Sequence, residues 1–208
     1  MKKIITLIFL ASMLSCQSQN INPMEPIINN KFETFHEIQS KLNFNKNEDA
    51  IRDFLPNGNY IEILTFSGEI QYTEAFNNTY YSITKLYFSN YNIKIKGISF
   101  NNDFPIGIWY EFDEQGKLIK ETNYDEPYKF TFEDVLQFCE KENIKVDKGP
   151  ILQSTGYHTL IMRYIDDDSN KPCWEIKYLK KYNRIEAIVL DGTTGEILSR
   201  REQEYINN

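Results

Sequence analysis

Short runs of apolar residues alternate with turn-forming residues through the middle of the chain. From residue 60 to residue 126, segments rich in Ile, Tyr, Phe and Thr are separated by Gly, Asn and Asp, which is typical of successive antiparallel strands. The stretch repeats every 24 residues, with an aromatic residue and two polar residues at Phe76, Phe100 and Tyr124. A fixed period indicates one supersecondary unit stacked on itself, so the pattern predicts about six strands in a meander of β-hairpins.

Each predicted hairpin needs a turn, and the 24-residue register places Gly68, Asn92 and Gly116 at equivalent positions. Gly and Asn tolerate a left-handed backbone best, so all three are predicted turn residues. In the segment 113–116 we expect a type I turn that Asp113 opens as an acceptor for backbone N–H groups and Gly116 closes. The carboxylates in this turn are therefore interpreted as structural and not as an acid–base pair.

The segment before the strands has a helical pattern. Apolar side chains recur at three- and four-residue steps from Phe32 to Leu42, which predicts a short amphipathic helix. We expect a further helical turn over residues 47–55, ended by Pro56 and Gly58. These helical residues and the hairpins would form one unit spanning residues 31–126.

The segment 85–124, KLYFSNYNIKIKGISFNNDFPIGIWYEFDEQGKLIKETNY, contains an aromatic-rich strand, a Gly turn and the pattern KL.KE. It resembles the variant MORN repeat of many bacterial lipoproteins and antitoxin-like proteins. The matching residues are Gly107, Trp109, Tyr110, Gly116, Leu118 and Lys120. The resemblance implies a β-hairpin scaffold without catalysis.

The pattern changes again after Pro127. Thr131 is placed to cap a helix that we expect to end near Asn143. Its predicted apolar face consists of Phe132, Val135, Leu136 and Cys139. Strand-like runs follow at 157–165, 173–179, 184–190 and 196–199, and Ile185, Ala187 and Val189 alternate as a predicted buried face of the third. One helix on a small antiparallel sheet is an α+β arrangement.

The chain ends with CWEIKYLKKYNRIEAIVLDGTTGEILSRREQEY, in which a W.I strand is followed by a DGTTGEIL turn. This ending, with the preceding helix, resembles a PepSY-type domain, which we assign to residues 127–208. Asp191, Gly192 and Gly195 form the predicted turn. PepSY-type domains occur in secreted and membrane-bound bacterial proteins, and the resemblance implies peptidase inhibition or protein binding.

The first residues form an export signal. Lys2 and Lys3 precede an apolar run that ends at Leu14, and Cys16 follows at once. This arrangement resembles a bacterial lipobox, which implies removal of residues 1–15 and lipid on the Cys16 thiol. An ordinary signal peptide with a chance Cys is the alternative. We expect a polar tether over residues 16–30 and a lipoprotein of the bacterial cell envelope, at the outer membrane and facing the periplasm.

Composition and charge exclude several classes of function. The 208 residues have a formal net charge of −7 and no run of Lys or Arg, so nucleic-acid binding is not expected. Hydrolase, P-loop and zinc-protease motifs are absent from the sequence. His36 and His158 are not spaced as ligands, and the acidic run 166–168 lacks calcium-loop spacing. We therefore predict a protein without cofactor or metal, and not an enzyme.

Two questions about single residues stay open in the sequence. Cys139 and Cys173 form either a disulfide, since an exported chain meets oxidising conditions, or two buried free thiols. Trp109, Tyr110 and Trp174 are candidates for an exposed binding surface because aromatic residues are enriched at binding hot spots. Core packing is the alternative for each Trp.

The functional hypothesis is a non-enzymatic, lipid-anchored scaffold that binds a protein or peptide, with peptidase inhibition through the PepSY-like domain. Recognition could use an open sheet edge, where a partner strand can pair. The alternative is an immunity or antitoxin-like protein that neutralises one cognate effector.

Overall fold

The computed structural model describes residues 26–42, 50–101, 103–152 and 156–205. Two antiparallel sheets and two helices make up this part of the chain, which places it in the α+β class. The predicted signal peptide and lipidated Cys16 lie outside the described residues.

The first sheet is a meander in which consecutive strands are neighbours. Its strands are β1 (Ala50–Phe54), β2 (Tyr60–Phe66), β3 (Glu69–Ala75), β4 (Tyr81–Tyr87), β5 (Ile93–Phe100), β6 (Phe104–Phe112) and β7 (Leu118–Asn123). The last six confirm the strands predicted for residues 60–126. The helical turn predicted over residues 47–55 is wrong for residues 50–54, because β1 pairs with β2 from Ala50↔Leu64 to Phe54↔Tyr60. Residues 47–49 lie outside the described part of the chain. The extended conformation of β1 depends on its pairing with a strand that follows Pro56. Local periodicity in the sequence does not detect such a pairing.

The turns of the meander agree with the sequence at two of three positions. Gly68 and Gly116 have φ angles of 84° and 82°. In the middle turn the left-handed residue is Tyr91, with φ 68°, and the prediction for Asn92 is wrong. The backbone N–H of Tyr91 donates to Phe88 O, as that of Gly116 donates to Asp113 O. The structural equivalent of Gly116 is therefore one residue earlier than the 24-residue register predicts.

An N-terminal segment and a short helix cover part of one face of this sheet. Helix α1 (His36–Leu42) follows the buried Phe35, whose N–H donates to Tyr91 O at 2.9 Å. Ile28 packs against the core, and Lys96 Nζ donates to Lys31 O at 2.6 Å. The last residues of the predicted tether, from Pro26 onward, thus lie on the folded scaffold.

The second sheet follows helix α2 (Phe132–Lys141). Its strands are β8 (Leu160–Ile165), β9 (Pro172–Lys181), β10 (Arg184–Asp191) and β11 (Ile197–Glu204). Their order in the sheet is β11-β10-β9-β8. Thr131 and Asp134 form a reciprocal capping box at the start of α2, which confirms the predicted cap.

Of the three residues predicted to form the buried face of β10, only Ile185 is buried. Ile188 and Leu190 are fully buried, while Ala187 and Val189 are half-buried on the opposite face. Glu186 shares the core face because Tyr178 Oη donates to it at 2.5 Å and Lys180 Nζ lies 2.8 Å from it. Because the paired Glu186 carboxylate lies on the inner face, the alternation of apolar and polar residues along β10 does not indicate which face is buried.

The two sheets share one hydrophobic core. The end of the first sheet that carries Phe100 and Phe104 packs against α2 and against Trp174 of β9. Arg163 of β8 crosses this junction, with its guanidinium 5.0 Å from the ring centre of Phe104. The sequence change at residue 127 therefore separates two sheets that are packed on each other.

Candidate functional site

Trp174 does not belong to any exposed surface. Its side chain is fully buried, and Nε1 donates to Phe130 O at 2.9 Å. Rings of Phe104 and Tyr128 lie 5.4 and 5.0 Å from it. The prediction of a binding role for Trp174 is wrong, because α2 and the first sheet enclose the face of β9 on which it lies.

Trp109 and Tyr110 lie on opposite faces of β6, as alternation along a strand requires. The half-buried Trp109 ring covers Gly97, and its Nε1 donates to Ile98 O at 2.9 Å. Tyr110 packs on the other face against the cluster that contains Phe35. The two rings therefore do not form one contact surface.

The predicted turn residues occupy turns. Asp113 Oδ1 accepts the N–H groups of Gln115 and Lys117 at 3.0 and 2.8 Å. The N–H of Gly192 donates to Pro172 O at 2.7 Å, and Gly195 has φ 75°. Hydrogen bonds of Asp191 with two backbone N–H groups hold the pKa of its carboxyl below the usual value. The carboxylates of Asp113 and Asp191 thus accept hydrogen bonds from the backbone of their own turns.

Cys139 and Cys173 are buried free thiols, so the disulfide alternative is wrong. Cys139 lies on the core face of α2, and burial raises the pKa of its thiol to about 12. Cys173 lies on β9 beside Trp174, and neighbouring strand residues point to opposite faces. The two thiols are on different sides of the second sheet, and protonated thiols are poor nucleophiles.

Polar side chains outside the core form local pairs. His158 Nδ1 lies 2.7 Å from Asp147 Oδ2. Asp166 Oδ2 accepts the N–H and the hydroxyl of Ser169, so the acidic run of β8–β9 is an ordinary turn. Within the described residues, no group of three or more His, Cys, Asp or Glu side chains could hold a metal ion.

Among the described residues, four strand edges of the two sheets have no neighbouring strand: those of β1, β7, β8 and β11. Three of them carry exposed charged side chains, which discourage pairing with other chains. These are Arg52 and Asp53 on β1, Lys120 and Glu121 on β7, and Arg201 and Glu204 on β11. The edge of β8 differs, because its sequence LIMRYI contains only one charged residue.

That single charge, Arg163, points away from solvent. Its side chain is 6% exposed and pairs with Asp125 at 2.6 Å. The guanidinium also donates to Pro105 O and lies 5.0 Å from the ring centre of Tyr128. What β8 presents to solvent is therefore apolar, with Leu160 and Ile165 each 42% exposed.

The outer backbone of β8 is unpaired within the described part of the chain. β8 pairs with β9 from Leu160↔Lys177 to Ile165↔Pro172, and no backbone hydrogen bond joins its other edge to a described residue. Leu160, Met162 and Tyr164 share the face of the second sheet opposite α2. We call the outer backbone of β8 and these three side chains the β8 edge site.

A groove of about 750 Å³ adjoins the start of the β8 edge site. Leu160, Leu179 and the 95% exposed Tyr182 line it. Tyr157 and Tyr205 form another wall, with ring centres 5.3 Å apart. The groove is thus mostly apolar and aromatic, and it shares Leu160 with the β8 edge site.

Known proteins provide no assignment for this site. The chain matches no protein-family model, no curated protein and no solved structure. A helix with the length and apolarity needed to cross a membrane is not found among the described residues.

Sequence reasoning identified β8 as a strand but missed it as a site. The apolar run from Leu160 to Ile165 was visible, yet a buried central strand has the same composition. Whether the run lies at an edge depends on strand order, which is set by tertiary packing. The signal that could have helped is that LIMRYI contains a single charged residue, whereas each of the other three edge strands contains at least two.

Proposed function

We propose that this protein is a non-enzymatic, lipid-anchored envelope protein that binds an extended segment of a protein or peptide by strand addition at β8. The observation that carries the proposal is the contrast between β8 and the three charged edges. An exposed apolar edge is an aggregation hazard unless a partner occupies it. A protein that protects three edges and leaves the fourth unprotected is therefore suited to pairing there.

The chemistry of the edge defines the partner. The main chain of the partner segment would hydrogen-bond with the outer N–H and C=O groups of β8, and these bonds supply affinity that does not depend on the partner's sequence. Every second side chain would lie beside Leu160, Met162 or Tyr164, so apolar residues at alternate positions are favoured. The aromatic groove at Tyr157 and Tyr205 would receive the end of the segment.

The remaining sequence features fit this role. The MORN-like hairpins would be the scaffold, and the PepSY-like second sheet would be the binding module, with peptidase inhibition as one outcome of strand addition. An immunity protein would use the same edge for a single effector.

The anchor would place the binding site close to the membrane. Nine residues lie between Cys16 and Pro26, the first residue that the structure describes, so the two are ten positions apart. A chain of that length spans at most about 35 Å when fully extended. A lipid on Cys16 would thus hold the scaffold near the outer membrane, facing the periplasm.

A peptide library tests the proposal with two matched variants. Leu160→Lys places a charge on β8, and Leu198→Lys changes a leucine that is 54% exposed on β11. We expect selected peptides with alternating apolar residues to lose at least about tenfold in affinity for Leu160→Lys, or about 1.4 kcal/mol. Leu198→Lys should bind them normally. Equal losses in both variants, or no selected peptide, would contradict the proposal.

A further inference from the structure

A second cavity lies beneath α1, far along the chain from the β8 edge site. Its volume is about 410 Å³, within the range of small-molecule pockets. Ile38 and Leu42 of α1 form an apolar wall together with Leu55. The opposite wall is the face of the first sheet that carries Tyr72 and Tyr87. The cavity lining thus combines apolar and polar side chains.

Tyr87 is unusual among the polar residues that line the cavity. Its side chain is fully buried, and its hydroxyl has no hydrogen-bond partner among the described residues. Burial, followed by the nearby Glu33 carboxylate, raises the pKa of Tyr87 well above its usual range. The hydroxyl therefore stays protonated and is a donor without an acceptor. Buried hydroxyl groups are normally paired, so this one needs an explanation.

Charged groups of both signs line the same cavity as the hydroxyl. Lys85 Nζ lies 2.9 Å from Glu33 Oε1. Glu74 accepts hydrogen bonds from Tyr72 Oη and Asn59 Nδ2, each at 2.7 Å. Glu37 and Lys41 of α1 complete the charged lining, which has three carboxylates and two ammonium groups.

We propose that this cavity binds a small zwitterion with an apolar side chain, such as a free amino acid. The ligand ammonium would face the carboxylates of Glu33 and Glu74. Its carboxylate would accept from Lys85 and from the unpaired Tyr87 hydroxyl, and its side chain would contact Ile38 and Leu42. The inference is independent of strand addition at β8, since no residue is shared between the two sites.

Three probes of similar shape test the charge pattern on the full mature chain. L-leucine has both charges, 4-methylpentanoate lacks the ammonium group, and 3-methylbutylamine lacks the carboxylate. Backbone and methyl NMR shifts at Ile38, Ile83 and Tyr87 report binding. We expect saturable shifts with L-leucine and at least about tenfold weaker binding of each analogue. No saturable shift with L-leucine, or equal binding of all three probes, overturns the proposal.

A variant of Tyr87 supplies a second, independent readout. Tyr87→Phe removes the unpaired hydroxyl, so Tm of the ligand-free protein should rise by about 2–4 °C while L-leucine binding weakens at least about fivefold. The matched control is Tyr178→Phe, because Tyr178 Oη donates to Glu186 at 2.5 Å. Tyr178→Phe should lower Tm and leave L-leucine binding unchanged. A fall in Tm for Tyr87→Phe with unchanged binding overturns the proposal.

Discussion

The indole ring of Trp109 lies directly on Gly97, so close that a Cβ atom on Gly97 would overlap it. Trp109 also donates from Nε1 to Ile98 O at 2.9 Å, which fixes the ring across β5. A glycine in the middle of a strand usually marks such a close approach. The contact joins β5 and β6 through one side chain.

Replacing Gly97 by Ala should therefore destabilise the fold. The added methyl group forces the indole to move, which costs about 1–3 kcal/mol for an overpacked contact. Urea unfolding of Gly97→Ala measures this loss. In the background of Trp109→Ala the overlap is gone, so the added cost of Gly97→Ala should fall to less than about 1 kcal/mol. Equal costs in both backgrounds would show that the two residues are not coupled.

Arg163 should hold the two sheets together. Arg163→Met removes the 2.6 Å pair with Asp125 and the hydrogen bond to Pro105 O. Hydrogen bonds of charged groups contribute about 1.5–3 kcal/mol, and we expect a loss of that size in the free energy of unfolding. Arg163→Lys should recover only part of it, because an ammonium group lacks the planar fork of a guanidinium.

The control for Arg163 is an arginine of the same sheet that is exposed. Arg201→Met on β11 should change the free energy of unfolding by no more than about 0.5 kcal/mol. A similar value for Arg163→Met would mean that the junction does not depend on the guanidinium.

Burial of the Cys139 thiol should make the free energy of unfolding decrease at alkaline pH. The pKa of this thiol is raised from 9.0 to about 12 by burial, so above pH 9 the unfolded chain loses a proton that the folded chain keeps. Stability from this group is complete below pH 9 and is lost as pH rises toward about 12. The stability advantage of the wild type over Cys139→Ala should therefore shrink by up to about 1.4 kcal/mol per pH unit.

Urea unfolding of the wild type and of Cys139→Ala between about pH 8 and pH 10.5 measures the difference in their free energies of unfolding. The contributions of other titrating groups cancel because both proteins contain them. A difference that does not change with pH would mean that Cys139 ionises normally in the folded state.

Local chemistry accounts for the elements that the sequence predicted correctly. Thr131 and Asp134 satisfy the N-terminal donors of α2 within three residues, and Asp113 does the same for its own turn. Such signals are complete within a few positions, so they can be found without knowledge of the fold.

The incorrect predictions concern residues whose conformation or burial depends on contacts with residues distant in sequence. Tyr91 takes the left-handed conformation because the segment around Thr34 bridges to Asn92, and the N–H of Phe35 donates to Tyr91 O. Trp174 is buried by a sheet that lies far away in sequence. The β8 edge site likewise exists only through strand order, and the Tyr87 cavity only through the docking of α1.

Hydrogen exchange on the intact protein with a selected apolar peptide tests the central claim most directly. Strand addition requires new main-chain hydrogen bonds, so amide protection should increase in β8, from Leu160 to Ile165. The charged edges β1, β7 and β11 should exchange as in the free protein. Protection at one of those edges, or a bound peptide that leaves the β8 amides unprotected, would contradict binding by strand addition at β8.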